Sequence, residues 1–430
     1  MTMKRTARRT LLSTALAAAL AAPAAHATVG YFQHGYGERS KAMGGVGIAY
    51  PQDAIAAALN PAGMVLVGDR MDFGTGVFRP VRNTTITGNT SALASATNGS
   101  YDLNDDQNFP LGHFGYNKMV RPNMSFGVSI YGNGGMNTSY DGNSIGLFAG
   151  TPSIVAQGVD LMQLFVAPTL AFRTDGAHAF GVSLVLAAQR FKANGIGGFA
   201  GLSTDAANLT NRGYDMSTGA GVRIGWIGRL SPQLSVGVTY ATKTYMSKFD
   251  KYRGLFAEQG DFDIPANYGI GLALKASDRT TLALDVMRIL YSDVAAVGNP
   301  GIYGYLSGTV GQLGAPNGMG FGWRDVTAVK VGVAHRYSSR LLLRGGFVYN
   351  TQPIPASEVM FNSLAPGVIQ KHLTFGATWK LANGGELTLS YFHAFEEKVR
   401  GQWPSAFGGG TQELKMYQDA IGISYGRPLK

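Results

Sequence analysis

The stretch Met124–Ile130 reads Met-Ser-Phe-Gly-Val-Ser-Ile: every second side chain is large and apolar, and those between are small or hydroxylated. A period of two puts one chemistry on each face of an extended strand. The pattern recurs. Leu234, Val236, Val238 and Tyr240 alternate with Ser235, Gly237, Thr239 and Ala241, and Val329, Val331 and Val333 with Lys330, Gly332 and Ala334. Leu387, Leu389 and Tyr391 alternate with Glu386, Thr388 and Ser390. Fourteen such segments can be marked, over 70–80, 108–117, 122–132, 161–173, 178–191, 217–230, 232–246, 263–276, 280–291, 325–337, 339–350, 370–381, 385–396 and 414–425.

The connections have their own rhythm. Tight-turn signals at 174–177, 231–232, 277–279, 338–339 and 383–385 alternate with long connections at 81–107, 133–160, 192–216, 247–262, 292–324, 351–369 and 397–413. An even strand number with short turns at one end and long loops at the other predicts an all-β fold, a transmembrane antiparallel β-barrel. Closing the sheet leaves no unpaired edge in hydrocarbon, where each unsatisfied backbone group costs several kcal/mol.

Composition agrees. Charged residues are 14% against a usual share of about 25%, and Gly, at 60 of 430 residues, is about twice its usual 7%. Twenty Tyr and 22 Phe suit a wall with one face in lipid. No later apolar run reaches the roughly 18 residues of a helical span. With no cysteine, no disulfide holds the fold.

Residues 1–27 read as a secretory signal peptide. Lys4, Arg5, Arg8 and Arg9 precede an apolar core, Leu11 to Ala22, and Ala25-His26-Ala27 is a small-x-small cleavage site. Its removal lowers the net charge from +10 to +6 and leaves no Lys/Arg cluster, so no nucleic-acid partner is expected. Residues 28–66 lack strand alternation. Pro51 suits a helix start and Asn60-Pro61 a helix stop. This segment is read as a hatch that folds back as a plug, or else as a disordered leader, ahead of a barrel over 67–430.

At these residues the chain resembles the FadL/TodX family of outer-membrane transporters for hydrophobic compounds. Asn60, Pro61 and Ala62, after Ala42-Met-Gly-Gly45, match the family's Asn-Pro-Ala hatch motif. Trp323-Arg324-Asp325 matches Trp-[Lys/Arg]-Asp; Arg344, Gly346, Pro353, Ile354 and Pro355 match Arg-x-Gly followed by Pro-[Val/Ile]-Pro; Phe180-Gly181 through Arg190 and Lys192 match Phe-Gly…Arg-x-Lys. The resemblance implies a fourteen-stranded barrel closed by an N-terminal hatch in a Gram-negative outer membrane. It also implies passive uptake of long-chain fatty acids or aromatic hydrocarbons. A departure is the C-terminus, Tyr425-Gly-Arg-Pro-Leu-Lys, where many such barrels end on an aromatic residue.

Such a transporter needs a collecting surface, a movable plug and a gap in the wall. Leaving an apolar pocket for water costs about 0.8 kcal/mol per CH₂, so sideways release into the membrane is favoured. Leu147, Phe148, Ile154 and Val155, with Ile145, are read as an exposed apolar capture surface in the loop 133–160, joined by Ile196, Phe199 and Leu202 in 192–216. The alternative is that these residues pack the loops together. Gly132, Asn133, Gly134 and Gly135 end the third segment, and the resemblance implies a kinked strand with a lateral exit there; glycine permits such a break. For an anionic headgroup, parity places Lys330 and Arg344 inside. Arg190 and Lys192 are suggested by the resemblance, but Arg190 shares its face with Phe180, Val182 and Leu184. A bulge near Ala187–Ala188 would turn it inward; without one it snorkels at the membrane interface.

Other signals are set aside. Gly195-Ile-Gly197-Gly-Phe-Ala200 lacks a βαβ setting, and Asp102 to Asp106 lacks the glycine and final Glu of a calcium loop. No cofactor, metal or catalytic set is expected. The partners expected are a hydrophobic small molecule and membrane lipid, with the chain acting as a monomer. The competing function is a barrel enzyme of lipase or protease type, which needs a catalytic cluster at one rim.

Overall fold

The computed structural model describes residues 28–140, 144–150, 156–174 and 177–429. Residues 1–27, read as the signal peptide, lie outside them. The chain forms a closed 14-strand antiparallel β-barrel. Its strands are β1 (Arg70–Thr87), β2 (Phe109–Arg121), β3 (Met124–Tyr140), β4 (Gln157–Thr174), β5 (His178–Asn194), β6 (Asp215–Arg229) and β7 (Leu234–Ala241). They continue with β8 (Asn267–Lys275), β9 (Thr280–Ile289), β10 (Val326–Arg336), β11 (Leu341–Asn350), β12 (Lys371–Lys380), β13 (Glu386–Gln402) and β14 (Thr411–Pro428). Each strand pairs with its sequence neighbour, and closure comes from β1 against β14, in register from Arg70↔Pro428 to Thr87↔Thr411. Two short strands, Gly99–Asp102 and Tyr245–Met246, add to the edges of β1 and β6.

All fourteen predicted segments are barrel strands, but several run further. β1 continues to Thr87, β3 to Tyr140 and β13 to Gln402. The extensions rise beyond the apolar band: their apolar side chains, such as Ile86, Met136 and Val399, are buried, while outward positions such as Asn83, Thr85, Lys398 and Arg400 are polar, so the outward period-two signal fades while the backbone ladder continues. Below them the outer face carries Phe73, Phe126, Phe172, Val182, Ile270 and Ile421, each between 42% and 61% exposed. A belt of large exposed apolar side chains is stable only against lipid.

The lumen is filled from the N-terminus. Residues 28–49 and 53–64 are buried inside the barrel. The Ala-rich stretch forms a 3₁₀ turn, Ala56–Ala58, rather than a longer helix, followed by a second turn, Pro61–Gly63, and a single α turn, Met64–Val67. Asn60 caps the second turn, its Oδ1 accepting from Ala62 N at 3.1 Å, and Pro61 occupies the first position, where no N–H is needed.

Candidate functional site: the lumen, its hatch and the wall gap

The hatch touches the wall because inward positions of many strands are glycine. A Cβ at Gly115 would strike Ala54 O, one at Gly225 Asn60 Oδ1, one at Gly237 Ile48 O, and one at Gly346 Gly44 N. These lie on the face that alternates with the lipid-facing residues, and their lack of a side chain lets hatch backbone lie against strand backbone. Asn60 then joins hatch to wall. Its Nδ2 donates to Ile48 O at 2.8 Å within the hatch and to the β6 carbonyl of Trp226 at 3.1 Å.

Charge fixes the rest of the seat. Hatch Arg39 pairs with Glu386 of β13 at 2.6 Å, and Arg70 with Asp72 at 2.7 Å and Glu386 at 3.3 Å. Hatch Glu38 meets Lys41 at 3.2 Å, His113 at 3.8 Å and the Ser390 hydroxyl. Burial works against the Glu38 carboxylate, but Lys41, His113 and Ser390 together hold its pKa below the ordinary value. Asp53 is the opposite case: burial, then the Asp72 carboxylate, push its pKa up to about 6. Asp285 of β9 accepts the hatch N–H groups of Gly47 and Ile48 at 2.8 and 3.0 Å.

The wall is not paired throughout. β2 and β3 share a ladder only from His113↔Tyr131 down to Arg121↔Met124. Above it, β3 stays paired with β4, with a bulge at Asn133 between Gly132↔Leu164 and Gly134↔Gln163. Continuing the β2–β3 register, Phe109–Gly112 of β2 would meet 132–135 of β3, but no ladder joins them. The hatch lies along this gap: Phe32 bridges Gly134, Gln33 N donates to Asn133 O at 3.2 Å, and Gly135 N donates to Tyr31 O at 3.1 Å. Tyr36 adds a hydrogen bond to Asn133 Oδ1 at 2.9 Å. Above, Asn104 bridges Ser139, and the fully buried Arg82 donates to Asn137 O, to Asn137 Oδ1 at 3.1 Å and to Asp106 O at 2.5 Å. The glycine cluster thus does not end its strand, as the sequence suggested: it holds a bulge, and β3 resumes beyond it.

The predicted capture residues are placed differently from expectation. Ile145, Phe148, Ile196 and Phe199 are buried, and Leu147 and Leu202 are half-buried against the core. Phe148 stacks on Trp403 at 5.9 Å and meets Phe199 at 4.8 Å, so these residues pack loop against loop. Ile154 and Val155 lie outside the described residues. Behind this layer, Phe199, Phe256, Leu313, Met319, Phe361 and Leu364 line an apolar cavity of about 40 Å³. From it, Phe256 contacts Phe262 at 4.8 Å and Phe262 contacts Tyr31 at 6.2 Å, an aromatic line that reaches the hatch beside the gap.

Lys330 and Arg344 face the lumen and are buried. Arg344 is engaged, donating to hatch Gln52 at 2.8 Å and to Thr378 at 2.6 Å. Lys330 has no hydrogen bond or ion pair among the described residues, its cross-strand neighbour Asp285 lying beyond ion-pair reach. Nearby, hatch His34 stacks with His372 of β12 at 5.5 Å, and neither His372 nitrogen has a partner. Burial, then His372, Lys330 and Lys41, hold His34 well below its usual pKa, so it is neutral.

Arg190 and Lys192 are a correction. The β4–β5 register runs from Gly158↔Asn194 to Val166↔Leu186 with no bulge near Ala187–Ala188, and the β5–β6 register is also unbroken. Both side chains therefore stay on the lipid face with Phe180 and Val182. Sequence reasoning also missed Arg82 and the aromatic line. Arg82 carried a usable signal, since it shares the inward parity of Phe78. Among the described residues, no group of three or more His, Asp or Glu could hold a metal.

The family profile described as outer membrane protein transport protein (OMPP1/FadL/TodX) matches residues 14–423. The chain belongs to that family. No curated protein matches it. Among solved structures it is similar to the Pseudomonas putida toluene transporter TodX, at 18% identity over 92% of this chain and 99% of that one, with a TM-score of 0.69. A Pseudomonas aeruginosa FadL homologue shares 14% identity over 93% and 100%, with a TM-score of 0.67. The Ralstonia pickettii toluene transporter TbuX shares 19% over 92% and 99%, with a TM-score of 0.61. As a FadL/TodX-type protein, the chain is an outer-membrane transporter of hydrophobic compounds; barrels of this class place their short turns in the periplasm and their long loops outside the cell.

Proposed function

We propose that this transporter takes up a fatty acid or aromatic hydrocarbon passively. In this reading the extracellular loops collect the compound, the hatch over residues 28–66 gates it, and it leaves sideways between β2 and β3. One observation carries the proposal: the ladder between these strands is missing above Tyr131, and hatch residues Tyr31–Gln33 lie along the opening. The apolar cavity and the aromatic line to Tyr31 supply a path whose side chains need only turn aside. Lys330, unpaired in the lumen, is suited to a carboxylate head, so an amphipathic acid uses a contact that a plain hydrocarbon leaves empty. The protein acts as a monomer in this scheme, with no catalytic step.

The test is uptake of labelled oleate and toluene by cells lacking their own such transporters, with a variant carrying bulky residues at Gly132, Gly134 and Gly135. The proposal expects faster uptake of at least one compound and its loss in the variant. Equal uptake by wild type and a correctly folded variant would remove the lateral exit from the account.

A further inference from the structure

The outer face of β5 passes from lipid to charge within a few residues. Phe180, Val182, Leu184 and Leu186 are between 38% and 46% exposed and belong to the apolar band. Alternate residues on one strand face are spaced about 6.7 Å apart. The next outward positions are Ala188, Arg190 and Lys192. Both cations thus stand just above the hydrocarbon edge, on the extracellular side, at the level of the outer-leaflet headgroups.

Their geometry is fixed. The ring of Tyr214, from the β5–β6 loop, has its centroid 4.6 Å from the Arg190 guanidinium carbon and 5.0 Å from Lys192 Nζ, so one aromatic ring contacts both cations. The ring is itself pinned, its hydroxyl donating to Asp160 at 2.5 Å. Arg190 approaches the same carboxylate at 3.8 Å, and Asp160 is the only acid paired with either cation among the described residues. No protein hydrogen bond to the Arg190 guanidinium or the Lys192 ammonium is present among the described residues, and Arg190 Nε is buried without a partner. A guanidinium offers five N–H donors and an ammonium three, and the planar fork of arginine matches phosphate oxygens two at a time. A third cation stands close: Lys251 Nζ donates to Tyr214 O at 2.6 Å.

We propose that Arg190 and Lys192, held by Tyr214, form a binding site for a phosphate group of an outer-leaflet glycolipid headgroup. Two oriented cations against one carboxylate leave a net positive charge where the membrane surface carries phosphate. The inference needs only the outer-membrane location and is independent of any transport route.

The test uses the full mature chain in detergent and follows lipid binding by native mass spectrometry. The probes are bisphosphorylated lipid A, its dephosphorylated form and inorganic phosphate. The site predicts binding of the bisphosphorylated form, about tenfold or greater weakening on dephosphorylation, and the same loss in R190Q/K192Q. Inorganic phosphate should compete poorly; if it binds as tightly as lipid A, the lipid assignment fails. The control K371Q/K415Q removes two outer-face cations elsewhere and should leave binding unchanged. Equal losses in both double variants would mean general charge attraction and overturn the site, as would full retention in R190Q/K192Q. Heat-modifiability on gels reports folding. Y214L, which keeps both charges, should weaken binding if Tyr214 positions them, and it serves as the test if the double variant does not fold.

Discussion

Asn60→Ala is the substitution for which the geometry gives a magnitude. It removes four hydrogen-bond contacts worth about three full bonds: the two Nδ2 protons serve Ile48 O at 2.8 Å, Trp226 O at 3.1 Å and Val238 O at 3.3 Å, and Oδ1 accepts from Ala62 N at 3.1 Å. At about 0.5–1.5 kcal/mol net for each bond, the hatch seat loses roughly 2–4 kcal/mol. At about 1.4 kcal/mol per factor of ten, hatch opening becomes about 30- to 700-fold more frequent. Barrel closure is untouched, because the β1–β14 and β6–β7 ladders do not use this side chain. Amide hydrogen exchange separates these effects: residues 46–66 should exchange faster by that factor while strand amides of β10 to β14 stay unchanged. Exchange within about threefold of wild type across 46–66 would refute the idea that Asn60 ties the hatch to the wall.

Other expectations follow from the same geometry. Gly237→Val places side-chain atoms where Ile48 O lies, so it should displace the hatch and raise small-ion conductance in planar bilayers; wild-type conductance would count against the glycine contacts. Arg82→Met strips hydrogen bonds from Asn137 and Asp106 at the top of the gap and should speed exchange of 134–140 by at least about tenfold, with unchanged exchange opposing that role. The raised Asp53 pKa sets a pH dependence. A carboxyl whose folded pKa exceeds its unfolded value gives stability that is complete below the unfolded value, near 4, and is lost as pH rises through about 6. The opening equilibrium of 52–56, taken as exchange divided by its base-catalysed intrinsic rate, should therefore rise between pH 5 and 7 in wild type and stay flat in Asp53→Asn. Lys330→Met should lower uptake of oleate far more than uptake of toluene; equal losses would show that Lys330 supports the lumen rather than a carboxylate.

Much of the barrel was legible because lipid on one side enforces the period of two at positions such as Phe126 and Val331. The alternation of short turns and long loops was legible for the same reason. The upper parts of β1, β3 and β13 were not, since above the membrane the outward face need not be apolar. Phe148 and Phe199 read as exposed because their covering partners, Trp403 and Phe361, are far away in sequence and meet them only when the loops close over the lumen. Asn60-Pro61 was visible as a break, but its reach to Trp226 O depends on the absence of a side chain at Gly225, a relation between distant segments. Arg190 shows the limit of motif matching against parity. The pattern suggested a ligand contact, the face it shares with Phe180 said otherwise, and the unbroken register settles its orientation.

The central claim is that the compound passes between β2 and β3 when hatch residues Tyr31–Gln33 move away. The chain has no cysteine, so Gln33→Cys with Gly132→Cys introduces the only two thiols, at positions joined by a hydrogen bond of 2.6 Å from Gln33 Nε2 to Gly132 O. A short reducible thiol cross-linker would tie the hatch to β3 across the bulge. Uptake of oleate and toluene should fall to the level of cells without the transporter while the link is in place and recover on reduction. Uptake that continues undiminished through the linked protein would contradict lateral release past the hatch.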